Sequence, residues 1–179
     1  GRLAVLAKRA GNGLKRPSPD QQDIETLLQM LAESKKPMIL AGGGIIRSKA
    51  AGEFVAFAER LEAPVAVTLM GKGAIPDRHP LCTGMIGMHG TLVSNMTTTE
   101  CDLLIAVGAR FSDRVTCDLN EFVKQAKVVH IDIDRSEVNK NVITDHHIIG
   151  DAGEVLKALL DKMPQYNHKE WLEKVDAWR

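Results

Sequence analysis

DLLIAVGARFSDRVT, residues 102–116, decides how the chain is read. Its first part, Leu103–Val107, is an unbroken apolar run of strand length, as expected of a parallel strand covered on both faces. The run stops at Gly108. Arg110, Asp113 and Arg114 then fall within five residues. A solvated turn accounts for such a loop, and so does a site for something anionic.

Working outward, short apolar runs alternate with helical stretches. PMILA (37–41), PVAVT (64–68), LCTGMIG (81–87), DLLIAVG (102–108), KVVHIDI (127–133) and HHIIG (146–150) read as strands. Helical spacing predicts helices near 48–62, 90–99, 116–125 and 151–162. SPDQ (18–21) reads as a helix start, with Ser18 as cap, Pro19 in the first turn and Gln21 at the capping-box position. Ile24, Leu27, Leu28 and Leu31 then follow on one face. The alternation predicts an α/β fold, a parallel sheet with helices on both faces and right-handed connections. Trp171, Leu172, Val175 and Trp178 recur at helical spacing over 168–178. They predict a tail helix packed on the domain or on a neighbour.

The totals are consistent with one domain. The chain has 179 residues, with 23 bases and 23 acids. That balance gives no global field for nucleic acid or an anionic membrane surface. Hydrophobic residues make up 44% and aromatic ones 4%, so aliphatic side chains must build the core. No apolar stretch approaches the roughly 18 residues of a membrane span. Cys82, Cys101 and Cys117 are odd in number and widely spaced. They form neither a disulfide framework nor a metal knuckle, and a reducing, cytoplasmic setting is expected. Residues 1–16 carry five bases and no acid and read as a solvated linker. The chain begins on Gly1 with no signal-peptide pattern, and a processed chain or a piece of a longer one is expected.

Every expected strand ends in small, polar or charged residues: AGGG (41–44), TLMGKG (68–73), GMHG (87–90), GARFSDR (108–114), DIDRSE (132–137) and GDAGE (150–154). In an open parallel sheet, ligands bind outside the carboxyl ends of the strands. Gly42, Gly43 and Gly44 allow close approach of a ligand, and their N–H groups can face a phosphate. They also suit an ordinary turn. The G-x-G-x-x-G fingerprint fails at Arg47, and no Lys-Ser/Thr follows for a P-loop. Asp132 can accept from a ribose or ribityl hydroxyl, or serve as a helix cap or loop acid. Asp151 precedes a helix and reads first as its cap. His89 lies between a strand and a helix, where a structural role is the ordinary one. His146 and His147 point to opposite faces and cannot share a metal. No nucleophile elbow surrounds Ser112.

MIGMHGT (85–91), DLLIAVGARFSDRVT (102–116) and VVHIDIDRSEVNKN (128–141) together resemble the central domain of the acetolactate synthase large, catalytic subunit, a thiamine-diphosphate enzyme. The likeness runs from about Pro37 to Met163. It implies a six-stranded Rossmann-like domain that binds FAD in extended form. By that resemblance Gly42–Gly44, Thr68, Leu69 and Met70 lie against the flavin nucleotide. Gly87, Met88 and His89 touch the flavin side. Gly108, Ala109 and Arg110 hold the diphosphate. Asp132, Ile133, Asp151 and Ala152 reach the adenosine end. Arg114 is similar to the arginine that receives the carboxylate of the second 2-ketoacid, with Met88 as its apolar neighbour. An arginine fork suits a carboxylate and a thioether suits a short alkyl chain. Ser112 stands where the family usually has an aspartate or another polar residue.

The resemblance implies residues 1–18 as linker, 19–163 as the central domain and 164–179 as a linker or helix leading to a further domain. It places the catalytic glutamate in a preceding domain and the motif for thiamine diphosphate and Mg in a following one, so this segment carries no catalytic residue and no metal ligand of its own. Pyruvate and 2-ketobutyrate are the implied substrates. A homo-oligomer and a small regulatory subunit are the implied partners, without nucleic acid or membrane. Two other readings remain open from the residues: another thiamine-diphosphate carboligase or pyruvate oxidase, and a non-catalytic assembly module.

Overall fold

A computed structural model describes residues 18–110, 123–137 and 144–179. Arg114, Ser112, Asp113, Cys117 and the basic segment 1–17 lie outside the described residues, as does most of the helix expected at 116–125.

Six strands form one wholly parallel sheet: β1 Pro37–Ala41, β2 Val65–Val67, β3 Cys82–Met85, β4 Leu103–Val107, β5 Lys127–Asp132 and β6 His146–Ile149. Their order is β3-β2-β1-β4-β5-β6. β1 is therefore flanked by β2 and β4, and all five residues of β1 pair with β4, from Pro37 with Leu103 to Ala41 with Val107.

Side-chain alternation divides the strands between two cores. Ile39, Ala41, Leu103, Ile105, Val107, Val129 and Ile131 face one side. There they meet α1 (Gln21–Glu33) through Ile24, Leu27 and Leu31, α3 (Ala51–Leu61) through Phe54, Phe57 and Leu61, and α5 (Ala152–Leu160) through Val155, Leu156 and Leu159. α2 is the short Gly43–Arg47. Met38, Leu40, Leu104, Ala106 and Val128 face the other side. They meet Val93 of α4 (Leu92–Glu100) and Trp171 and Val175 of α6 (Lys169–Asp176). Both faces of the sheet's centre are covered, which is why β1, β2 and β4 read as continuous apolar runs.

The tail helix is fixed by polar contacts as well as by burial. Trp171 donates its indole N–H to Pro37 O at 2.8 Å. The Arg179 guanidinium donates to the carbonyls of Cys82 and Pro80 at 3.0 and 2.8 Å. His168 places its two ring nitrogens 2.6 and 3.2 Å from the carbonyls of Leu61 and Ser34. At the amino end of the sheet, Asp102 accepts from the N–H groups of Lys35 and Lys36 at 2.8 and 3.1 Å. It thereby ties the exit of α1 to the entry of β4.

Two helix starts differ from the sequence expectation. Asp20, not Ser18, caps α1, accepting from Gln22 N–H at 2.7 Å. Pro19 therefore sits before the cap, and the expected Ser18–Gln21 pairing is replaced. The helix expected near 48–62 is Ala51–Leu61, and a separate short helix, Gly43–Arg47, precedes it in the glycine turn. Lys49 between them has φ 53°, a left-handed conformation that stops the first helix.

Cys82 and Cys101 are free and buried. Burial, reinforced by the neighbouring Asp102 carboxylate, pushes the Cys101 thiol from 9.0 up to about 12. The thiolate is the reactive species, so Cys101 should resist iodoacetamide at pH 8 in the native chain and react in urea. Peptide mass spectrometry checks this, and equal labelling in both conditions would refute it. The linkage has a definite sign. Between pH 9 and about 12 the unfolded thiol loses its proton while the folded one keeps it, so this group's contribution to stability falls as pH rises through that window.

Candidate functional site

The strand order reverses between β1 and β4, and a parallel sheet opens a crevice outside its carboxyl edge at such a point. Gly42 leaves β1 there and Gly108 leaves β4. The two loops are in direct contact. Gly42 N–H donates to Val107 O at 2.9 Å, and Gly44 N–H donates to Gly108 O at 3.0 Å. A Cβ on Gly44 would lie 2.7 Å from Gly108 Cα. Gly108 itself has φ 62°, which glycine adopts without steric cost. The glycines thus let two backbones touch. The N–H groups of Gly42 and Gly44 were expected to be available to a phosphate, but they are engaged by the β4 loop.

Two cavities flank this contact. One, of about 240 Å³, is lined by Gly44, Arg47, Ser48, Gly108, Ile131, Asp132, Ile133, Gly150, Asp151 and Ala152. It opens at the carboxyl ends of β1, β4, β5 and β6. The second, of about 190 Å³, is lined by Gly43, Arg47, Thr68, Met70, Gly108 and Arg110, on the β2 side. Arg47 and Gly108 border both. The structure therefore brings together Gly43, Gly44, Thr68, Met70, Gly108, Arg110, Asp132, Ile133, Asp151 and Ala152 along one crevice. Carboxylates stand at one end and guanidinium groups in the middle.

The local chemistry of each wall follows from its neighbours. Asp132, 7% exposed, accepts from Asp134 N–H at 2.8 Å. Asp151, 2% exposed, caps α5 by accepting from Glu154 N–H at 3.2 Å, the role expected first for it, and it also faces the cavity. Thr68 accepts from Gly71 N–H at 3.2 Å and starts a single 3-10 turn. That turn presents Leu69 and Met70, each 64% exposed.

The other expected residues lie beside or beneath the crevice. Gly42 and Ala109 are buried under it. Gly87, Met88 and His89 follow β3 at the far edge of the sheet, with Met88 86% exposed. Asn95 of α4 holds Gly87 from both sides, accepting from its N–H at 3.1 Å and donating to its carbonyl at 3.0 Å. With Leu69, Met70 and Leu92, Met88 makes the carboxyl end of β2 and β3 apolar and exposed.

Sequence reasoning missed three contributors. Arg47 borders both cavities, and its signal was its place four residues after Gly43, one turn along a helix. Asn95 carried no legible signal. His130, fully buried, reaches Ala109 O with Nε2 at 2.9 Å and lies 3.5 Å from Asp132 Oδ2, so it links the β4 loop to the end of β5. A polar residue inside an apolar strand was the clue.

Comparison with known proteins agrees with this architecture. Residues 24–159 match the family described as thiamine pyrophosphate enzyme, central domain. A probable acetolactate synthase large subunit of Methanocaldococcus jannaschii is 50% identical over 155 residues, 85% of this chain and 26% of that protein. The acetolactate synthase large subunit of Cyanidium caldarium is 44% identical over 168 residues, 90% of this chain and 29% of its own length. That of Parasynechococcus marenigrum is 40% identical over 172 residues, 93% and 28%. The chain thus spans less than a third of these relatives. With the parallel sheet, its switch point and a match over most of its residues, the chain belongs to the thiamine pyrophosphate enzyme central-domain family.

Proposed function

We propose that this chain is the central domain of an acetolactate synthase large subunit and that it holds FAD in extended form along the carboxyl edge of its sheet. The observation that carries the reading is the order of groups in the crevice. Buried Asp132 and Asp151 can accept from ribose hydroxyls, Arg110 can meet a diphosphate, and exposed Met70 and Leu69 offer an apolar seat for the flavin end. The names of the relatives support the choice of enzyme.

In the complete protein, thiamine diphosphate and Mg would be held by other domains, together with the catalytic glutamate. Pyruvate would be decarboxylated there and joined to a second pyruvate or to 2-ketobutyrate. That condensation is not a net oxidation, so FAD would act mainly as a structural group that orders the loops around it. Within this chain Arg114 would receive the acceptor's carboxylate and Met88 would pack its alkyl group. A cytoplasmic homo-oligomer with a small regulatory subunit completes the proposal.

The test uses the full-length chain. It should purify with FAD or take it up, and form acetolactate from pyruvate only with thiamine diphosphate and Mg. Arg114→Ala should raise the KM for the acceptor ketoacid about 10–100-fold and change the selectivity between pyruvate and 2-ketobutyrate, the size expected for a lost charge-assisted pair. A chain that condenses pyruvate but takes up no FAD would refute the flavin role. Unchanged KM and selectivity would refute the role of Arg114.

A further inference from the structure

Arg47 closes α2 with an exposed side chain. Helical side chains lean toward the amino end of their helix, and this one does so. A Cβ on Gly43 would lie 2.9 Å from Arg47 Nη1. The guanidinium therefore folds back over Gly43, where an added Cβ would crowd it. No described residue forms a hydrogen bond or ion pair with it. The position has a consequence for any ligand, because Arg47 and Gly108 border both cavities and a molecule spanning the two must pass the guanidinium. Arg110, on the β4 side, lines the second cavity with it.

We infer that Arg47 is an anion clamp at the join of the two cavities, reading the diphosphate of an extended dinucleotide from the β1 side while Arg110 reads it from the β4 side. The inference rests on the dinucleotide reading above and adds to it a residue and a chemical role. A planar fork of N–H donors matches phosphate oxygens in pairs, which a lysine cannot do. Asp132 and Asp151 share the first cavity with Arg47. Both accept from backbone N–H groups, so they suit hydroxyl donors on the ribose side of the same ligand.

The experiment compares wild type, Arg47→Gln and Arg47→Lys in the full-length chain. Binding of FAD, ADP and adenosine is measured by calorimetry at two salt concentrations, and each melting temperature is recorded. Arg47→Gln should weaken FAD and ADP by about 10–100-fold and leave adenosine unchanged. Arg47→Lys should recover only part of the loss. Wild-type affinity for ADP should fall more steeply with salt than that of Arg47→Gln. A merely structural arginine would shift the melting temperature and leave these ratios unmoved. If wild type binds FAD and Arg47→Gln binds FAD and ADP equally well, the clamp is overturned and the flavin reading stands. Arginine-dependent binding of ADP without binding of FAD supports the clamp and overturns the flavin. Binding of neither overturns both. Should Arg47→Gln fail to fold, Arg47→Lys decides, because wild-type ADP affinity in that variant overturns the fork.

Discussion

Trp171→Ala is expected to lower the free energy of unfolding by about 3–5 kcal/mol, the range for truncating a buried large aromatic. Trp171 is 4% exposed and packs with Met38, Leu40, Leu104 and Val175 on the α4 face of the sheet. Its indole donates to Pro37 O at 2.8 Å, and its ring meets Trp178 edge-on at 6.2 Å. Alanine would remove the packed volume and leave the Pro37 carbonyl without that donor. Trp171→Phe separates the two losses. It keeps most of the apolar bulk and drops the N–H, so it should cost about 1–3 kcal/mol, including the orphaned carbonyl. Urea unfolding followed by circular dichroism measures both. The chain has two tryptophans, both in the tail, so their fluorescence reports the release of α6 directly. A loss under 1 kcal/mol for Trp171→Ala would mean that α6 does not complete this core.

The central strands β1, β2 and β4 were legible because each is buried on both faces and so carries an unbroken apolar run. The sixfold alternation with helices then fixed the sheet as parallel. Helix beginnings were harder to read. SPDQ contains two acceptable caps, Ser18 and Asp20, and only tertiary placement selects Asp20. Gly42–Gly44 suit an ordinary turn, and glycine is a poor helix former, yet Gly43–Arg47 is helical. Contact with the Gly108 loop overrides that preference. The crevice was partly legible: Asp132, Asp151, Arg110 and Thr68 end strands or follow them, and the sheet brings them together. Asn95 was not, and Arg47 and His130 left only a trace, a place one turn after Gly43 and a polar residue inside an apolar strand, because their roles depend on side chains reaching across loops.

Gly42→Ala should destabilise the chain by about 3 kcal/mol, the upper part of the range for overpacking, because backbone must move to admit the methyl. Gly42 has φ −111° and ψ −179°, extended values that alanine adopts freely, so the penalty is one of contact. The new Cβ would lie 2.3 Å from both Ala109 Cα and Gly108 O. Neither atom can turn aside as a side chain would. The loops after β1 and β4 must part, stretching the bonds from Gly42 N–H to Val107 O and from Gly44 N–H to Gly108 O. Gly52 supplies the contrast. It sits early in α3, and a Cβ there would meet nothing within 4 Å. Gly52→Ala should therefore stabilise by up to about 1 kcal/mol through helix propensity. Opposite signs for the two variants in thermal or urea unfolding would identify contact between the loops as the constraint at Gly42. The same displacement would carry Gly108 and Arg110 away from Arg47, so affinity for FAD in the full-length Gly42→Ala variant should fall along with stability. If Gly42→Ala were as stable as wild type, the loops would not be in the contact described, and the crevice between the two cavities would need a different origin.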